Sequence, residues 1–203
     1  MENDSISNII PKQILGSQMD ALETRDYDTL DQANEMYASA CDKLINVNGW
    51  TQYAGISAFQ LIDEKGVRAD RLAQVGDYIR IDIPGPGPRA GMGYDWVRIE
   101  AMDEVVLAKE RAFYITVRPC THPKTVSDET AHFLRSDATS TFLIRQKGMV
   151  ISAEEHGRNE MPNNQGVNFI DKGRNSLVGM AAKIGLSFPQ WKSLVRGLLS
   201  ITE

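Results

Sequence analysis

Residues 75–100 read VGDYIRIDIPGPGPRAGMGYDWVRIE. Ile79, Ile81 and Ile83 alternate with Tyr78, Arg80 and Asp82, the two-residue period of a half-buried strand. Gly76 and Asp77 signal a turn before it. Pro84, Pro86 and Pro88 end the ladder, because proline has no N–H to donate. Gly85, Gly87, Gly91 and Gly93 let the chain reverse. Val97, Ile99 and Ala101 then alternate with Trp96, Arg98 and Glu100, so pairing resumes. The stretch predicts an antiparallel pair joined by a stiff loop of about ten residues, long for a hairpin.

The loop does not read as a phosphate cradle. Such a cradle needs consecutive backbone donors, often leading into a helix, with Lys-Ser/Thr after the glycines. Here three prolines remove donors and a strand follows. A stiff connection at a sheet edge is the simpler reading. A preformed loop also loses little entropy on binding, so Arg89, Met92 and Tyr94 are candidate partner-binding residues.

Outward from this pair, the chain reads as α+β. Residues 29–45 predict a helix, with Leu30, Ala33, Tyr37, Ala40, Cys41 and Leu44 on one face and a Thr29/Gln32 capping box. Further strands are expected within 50–63, 111–118, 139–145 and 149–155, with a polar loop over 123–137. Two helices close the chain. One runs near 171–184; the other carries Trp191, Leu194, Val195, Leu198 and Leu199 as an apolar stripe. The expected architecture is an antiparallel curved sheet or partial β-barrel of about six to seven strands. An N-terminal helix and two C-terminal helices pack on it. Residues 1–25 are expected as an arm, and 26–203 as a single domain. No helix separates most consecutive strands, which argues against a parallel α/β sheet.

The chain has 203 residues, 42% of them hydrophobic, enough for a real core. Its net charge of −5 offers no basic field for nucleic acid. Cys41 and Cys120 are the only cysteines, which fits unpaired thiols in a reducing compartment. The N-terminus has neither a basic nor a long apolar region, and no stretch reaches the ~20 apolar residues of a membrane helix. A cytoplasmic protein without a membrane span is expected.

No catalytic signature is present. Cys120, His122 and His132 lack the paired spacing of zinc motifs, so no metal and no cofactor is expected. Residues 154–160, EEHGRNE, are the most polar concentration with a titratable histidine. His156 between carboxylates suits a general base, yet nothing nearby resembles an activated nucleophile. The run reads as a strand leaving into a solvated turn. Glu155, His156, Arg158 and Asn159 are then candidates for partner recognition.

Several segments carry a resemblance: GDYIRIDIPGPG with GYDWVRIE, TAHFLRSDATSTFLIRQKG, EEHGRNE and FIDKGRNSLVGMAAKIGLSFPQWKSLVRGLL. Together they resemble a family of Bacteroidota-type bacterial proteins associated with type VI secretion gene neighbourhoods. The resemblance spans most of residues 26–201 and brings no catalytic residues with it. It implies a non-enzymatic adaptor, chaperone, structural component or immunity factor. The partner would be another protein, a secretion component or effector. The element order also resembles helix-grip (START-like) domains, which bind apolar ligands between sheet and helix. A clear first strand before residue 29 is missing from that pattern, and the terminal helix is broken at Gly185–Pro189. A carrier of a small apolar ligand is therefore the alternative, and a hydrolase using Glu154, Glu155 or His156 the minor one.

Overall fold

The alternating isoleucines of residues 79–83 lie in a seven-stranded antiparallel sheet, in a computed structural model that describes residues 6–84, 87–163 and 188–201. The strands are β1 (Ser17–Asp26), β2 (Ala58–Ile62), β3 (Tyr78–Asp82), β4 (Asp95–Val106), β5 (Glu110–Pro119), β6 (Thr139–Lys147) and β7 (Val150–Glu160). Their order is β1-β7-β6-β5-β4-β3-β2, so β2 to β7 meander and β1 crosses to the far edge. β1 and β2 do not pair with each other, and the curved sheet stays open. Two helices, α1 (Leu30–Ile45) and α2 (residues 188–198), lie on one side of it. The helix expected near 171–184 falls outside the described residues, as does the break at Gly185.

The first strand, missing from the sequence reading, is present as β1. Its pattern is mostly polar because it is an edge strand with one fully buried residue, Ala21. It begins after Gly16, whose φ is +67°. A Cβ there would stand 2.4 Å from the Glu160 carbonyl oxygen, so only glycine lets the chain enter this edge. Upstream, Ile6 packs on the outer face of the sheet with Ala112 and Leu143.

α1 starts where the capping residue predicts, with Gln32 N–H donating to Thr29 Oγ1 at 3.2 Å. Its buried face is Ala33, Met36, Tyr37, Ala40 and Leu44. Leu30, expected inside, is 55% exposed, and Met36 takes the interior position instead. Trp50 follows in a 3-10 turn, fully buried, and its indole N–H donates to Leu44 O. The inner face of the sheet supplies Phe59, Leu61, Ile79, Ile81, Val97, Ile99, Ile115, Val117, Phe142, Ile144 and Ile151. Leu194, Val195 and Leu198 of α2, and Leu199 just after it, are fully buried against that face. Each such side chain contributes roughly 1.5–3 kcal/mol of transfer free energy. Phe113 and Trp191 are only partly buried. Residues 123–137 are less polar in effect than the sequence reading holds. Ala131, His132 and Leu134 are buried, and Trp96 N–H donates to Ala131 O across this segment.

Candidate functional site

β7 decides the site. Residues 154–160 do not leave into a solvated turn; they are central strand, paired with β6 on one side and β1 on the other. The strand period then splits the polar run between two faces. Glu154, His156 and Arg158 point to the outer face, and Glu155 and Gly157 to the inner one.

On the outer face the groups satisfy one another. His156 Nδ1 lies 2.5 Å from Asp20 Oδ1, and Nε2 lies 2.8 Å from Glu154 Oε2. Ser152 donates to the other Glu154 oxygen at 2.6 Å, and Arg158 reaches Asp20 at 2.7 Å. Burial alone would lower the His156 pKa, but its hydrogen bonds to Glu154 and Asp20 outweigh that and raise it. Asp20 and Glu154 go the other way: burial raises them, the His156 hydrogen bonds prevail, and both end below their ordinary values. When protonated, the imidazole has no lone pair to offer, and its bonds to Asp20 and Glu154 clasp β1 to β7.

Asn159 is a second clasp. Its φ is +56°, an uncommon conformation for a non-glycine residue. Its side-chain oxygen accepts from Ile14 N–H and Leu15 N–H, and its amide donates to Lys12 O. The residue fastens the N-terminal segment to the end of β7.

On the inner face Glu155 is fully buried between Phe142 of β6 and Ala21 of β1. Neither carboxyl oxygen has a hydrogen-bond partner. The Ser140 hydroxyl comes near enough to favour the charged form slightly, but outside hydrogen-bond geometry. Burial pushes the Glu155 pKa well above its ordinary value, and the neighbouring Glu160 pushes it further. Glu160, just beyond the Asn159 kink, turns its carboxyl over Gly157, where a Cβ would meet it at 2.6 Å. Burial raises its pKa too.

Under α2, with Glu160 on its wall but not Glu155, is an interior space of about 30 Å³. That is room for a water or two. Its walls are apolar: Phe59, Phe142 and Trp191 with the branched residues of β3 and β4. The rings form a chain of tilted contacts, with Trp50–Phe142 centroids 4.9 Å apart and Phe142–Trp191 5.2 Å. Ser140, Thr139, Glu160 and Gln190 make its polar edge. Buried Thr139 Oγ1 and Gln190 Nε2 have no partner, although Gln190 Oε1 accepts from Ser57 at 2.7 Å. His132, Phe133 and Leu134 close it from the β5–β6 connection.

The other expected sites lie elsewhere. The loop after β3 places Arg89 and Met92 at the surface and Tyr94 half-buried, with the Arg80 guanidinium 4.5 Å over its ring. Gly85 and Pro86 fall outside the described residues. The two limbs of the loop close on each other, since a Cβ on Gly87 would overlap Gly93 O. The loop and the end of β7 lie at the same end of the sheet, but β5 and β6 separate β4 from β7. His122 and His132 each accept a backbone N–H at Nδ1, from Lys124 and Leu134, and burial pushes the Cys120 thiol up to about 12. Burial likewise pushes Cys41 up to about 12. Neither thiol is poised as a nucleophile. Among the described residues no His, Cys, Asp and Glu group is arranged to hold a metal ion, and no helix is long and apolar enough to cross a membrane.

No family model and no curated protein matches the chain. Solved structures with a similar course include hypothetical protein jhp0584 from Helicobacter pylori, at 9% identity and TM-score 0.46, covering 88% of this chain and 87% of that one. Ara h 8.0201 is similar at 8% identity and TM-score 0.37, covering 91% and 100%. TTHA0849 from Thermus thermophilus is similar at 12% identity and TM-score 0.35, covering 89% and 94%. Identities of this size with TM-scores below 0.5 assign neither family nor function.

Proposed function

We propose that this chain is a ligand-binding domain of the helix-grip type. It takes a small, largely apolar molecule with one polar end between the sheet and α2. The strand order β1-β7-β6-β5-β4-β3-β2, with α1 inserted after β1 and α2 at the C-terminal end, supports the fold side of this reading. The observation that carries the ligand side is a pair of buried, unpartnered polar groups on residues that line one apolar space, Thr139 Oγ1 and Gln190 Nε2. Buried polar atoms are nearly always satisfied, and two unsatisfied side chains at one apolar space call for a guest. The space of about 30 Å³ is well below the several hundred Å³ of an occupied small-molecule site. The guest enters by displacing Trp191, which is partly exposed and rests on Phe59 and Phe142.

Native mass spectrometry of protein purified under mild conditions tests this. A co-purified small molecule, lost from Trp191→Phe or Gln190→Ala, is the expected result. Bare protein that also shows no thermal shift with any member of a small-molecule library would overturn it.

A second reading keeps the protein-binding accessory of a secretion apparatus. Its support is the surface pair Arg89 and Met92, the latter 67% exposed on a loop whose limbs are locked at Gly87. Exposed Met and Arg on a rigid loop suit a protein interface.

A further inference from the structure

We propose that the cleft between α1 and the β4–β5 hairpin binds a small zwitterion, an α-amino acid with an apolar side chain, whose carboxylate sits on Arg111 and whose ammonium group sits on Asp42 and Glu104. This cleft shares no lining residue with the space under α2, so the inference does not rest on the reading given above.

The argument begins with Arg111 of β5. Its guanidinium lies 4.0 Å over the Tyr37 ring. Its Nε donates to Gln146 Oε1 at 2.8 Å, and its Nη2 to Asn34 Oδ1 at 3.1 Å. The Gln146 amide is itself fixed, because its nitrogen donates to Asn34 Oδ1 and to Gly148 O. Side chains of α1 and β6 thus hold one guanidinium in one orientation. Both acceptors are neutral amide oxygens, so the bonds that place the cation do not neutralise it. These bonds occupy two of the five N–H donors of an arginine, and among the described residues Nη1 makes no hydrogen bond. A guanidinium placed in this way is pre-organised to receive a carboxylate through its remaining donors.

The cleft is about 240 Å³, about eight times the space under α2. Glu104 faces Phe113 across the β4–β5 pair, and Gln146 faces Arg111 across β5–β6, so these side chains share the inner face of the sheet. Half-buried Phe113 gives the cleft an apolar wall. Exposed Asp42 of α1 and exposed Glu104 bring two carboxyls to it. Tyr37 O–H donates to Glu104 Oε1 at 2.8 Å, which fixes that carboxyl. A simple anion would meet these two carboxyls as well as the guanidinium, and a simple cation would meet the guanidinium. An α-amino acid carries both charges on one carbon. It answers the cation and the carboxyls together, and its side chain covers Phe113.

The test is isothermal titration of the full chain at pH 7 with L-leucine and L-phenylalanine. Each is compared with its amide, which keeps only the ammonium charge, and with its desamino acid, which keeps only the carboxylate. The expected result is that an amino acid binds about tenfold or more tightly than either single-charge analogue, the scale for one charge-assisted hydrogen bond. Arg111→Gln should bring the amino acid down to the affinity of its amide while the amide itself hardly changes. Asp42→Asn, at an exposed position, should bring it toward its desamino acid. Equal binding of an amino acid and its desamino acid overturns the inference, and so does failure of both amino acids to bind at millimolar concentration. An amino acid that binds Arg111→Gln as well as the parent protein is held elsewhere, which also overturns it. Should Arg111→Gln not fold, Asp42→Asn decides, and an unchanged amino-acid affinity refutes the site. None of these failures touches the reading for the space under α2.

Discussion

Glu155→Gln should make the protein more stable at neutral pH and leave it unchanged in acid. The sign comes from linkage. Glu155 has its folded pKa raised above the ordinary 4.5 by burial and by Glu160. Its contribution is therefore fully present below about 4.5 and is lost as pH rises through the folded value. Between those limits the folded chain holds a proton that the unfolded chain releases, and each pH unit costs about 1.4 kcal/mol. Each pH unit over which Glu155 stays protonated in the fold is a sizeable share of the roughly 5–15 kcal/mol of a typical domain. Glutamine has nearly the shape of the protonated acid and never ionises. Its amide is no better satisfied in this site than the acid, so the difference isolates ionisation. At about 2–4 °C per kcal/mol for a chain of this size, the melting temperature should rise by roughly 3–6 °C for each pH unit in that range. The assay is urea unfolding of both proteins at pH 4, 5, 6, 7 and 8, followed by tryptophan fluorescence. The stability difference should be near zero at pH 4 and grow with pH, with equal m values. A constant difference across the series, or a less stable mutant at pH 7, would refute the reasoning, because Glu155 would then be ionised or satisfied in the fold.

His156→Gln probes the outer clasp and has a different pH window. The raised His156 pKa adds stability that is full below about 6.5 and fades as pH rises through its folded value; the lowered Asp20 and Glu154 add stability that is lost as pH falls through theirs. The mutant should lose about 1–2 kcal/mol near pH 5–6 and clearly less at pH 9, read by the same unfolding series. Trp191→Ala should cost about 3 kcal/mol, the low end for a tryptophan because this one is only partly buried, and a melting temperature unchanged within 1 °C or so would place it outside the core. Asn159→Ala removes three hydrogen bonds to residues 12–15; roughly 1–3 kcal/mol should go, and hydrogen exchange at Ile14 and Leu15 should accelerate while the amides of β6 stay protected. Arg89→Glu with Met92→Asp should leave the fold intact, since both are exposed, and should abolish any partner captured through that loop; capture unaffected by the pair would sink the protein-binding reading.

Most of the sheet was legible because its strands are half-buried and the two-residue period survives in β3, β4 and β5. Ile79 and Ile81 face Leu61 and Phe59 on β2 and Val97 and Asp95 on β4, in the register that the alternation implies. β1 was not legible for a physical reason. As an edge strand it contacts the core through Ala21 alone, and its remaining residues, SQMD and LETRD, carry no apolar alternation. The buried segment 131–134 was missed because its burial depends on long-range bonds, such as Phe133 N–H to Asp95 Oδ1 at 2.8 Å, which leave no local pattern.

The candidate site shows most clearly what composition hides. Glu154, Glu155 and His156 are consecutive, and as a string they form one polar cluster suited to a solvated turn. Placed in a strand between two others, successive residues fall on opposite faces and meet opposite physics. Glu154, beside an imidazolium and a serine hydroxyl, is held below its ordinary pKa; Glu155, one residue on, faces Phe142 and Ala21 and is driven above it. On the outer face Asp20, Ser152, Glu154, His156 and Arg158 bond to one another, which is the mark of a structural clasp. The inner face leaves both Glu155 oxygens without partners, and the space under α2 is bordered by the unpartnered Thr139 hydroxyl and Gln190 amide. A fold that needed only stability would be better served there by an apolar residue, as the Glu155→Gln comparison can quantify. The cost falls on the inner face, where Glu155 is sealed from solvent between Phe142 and Ala21.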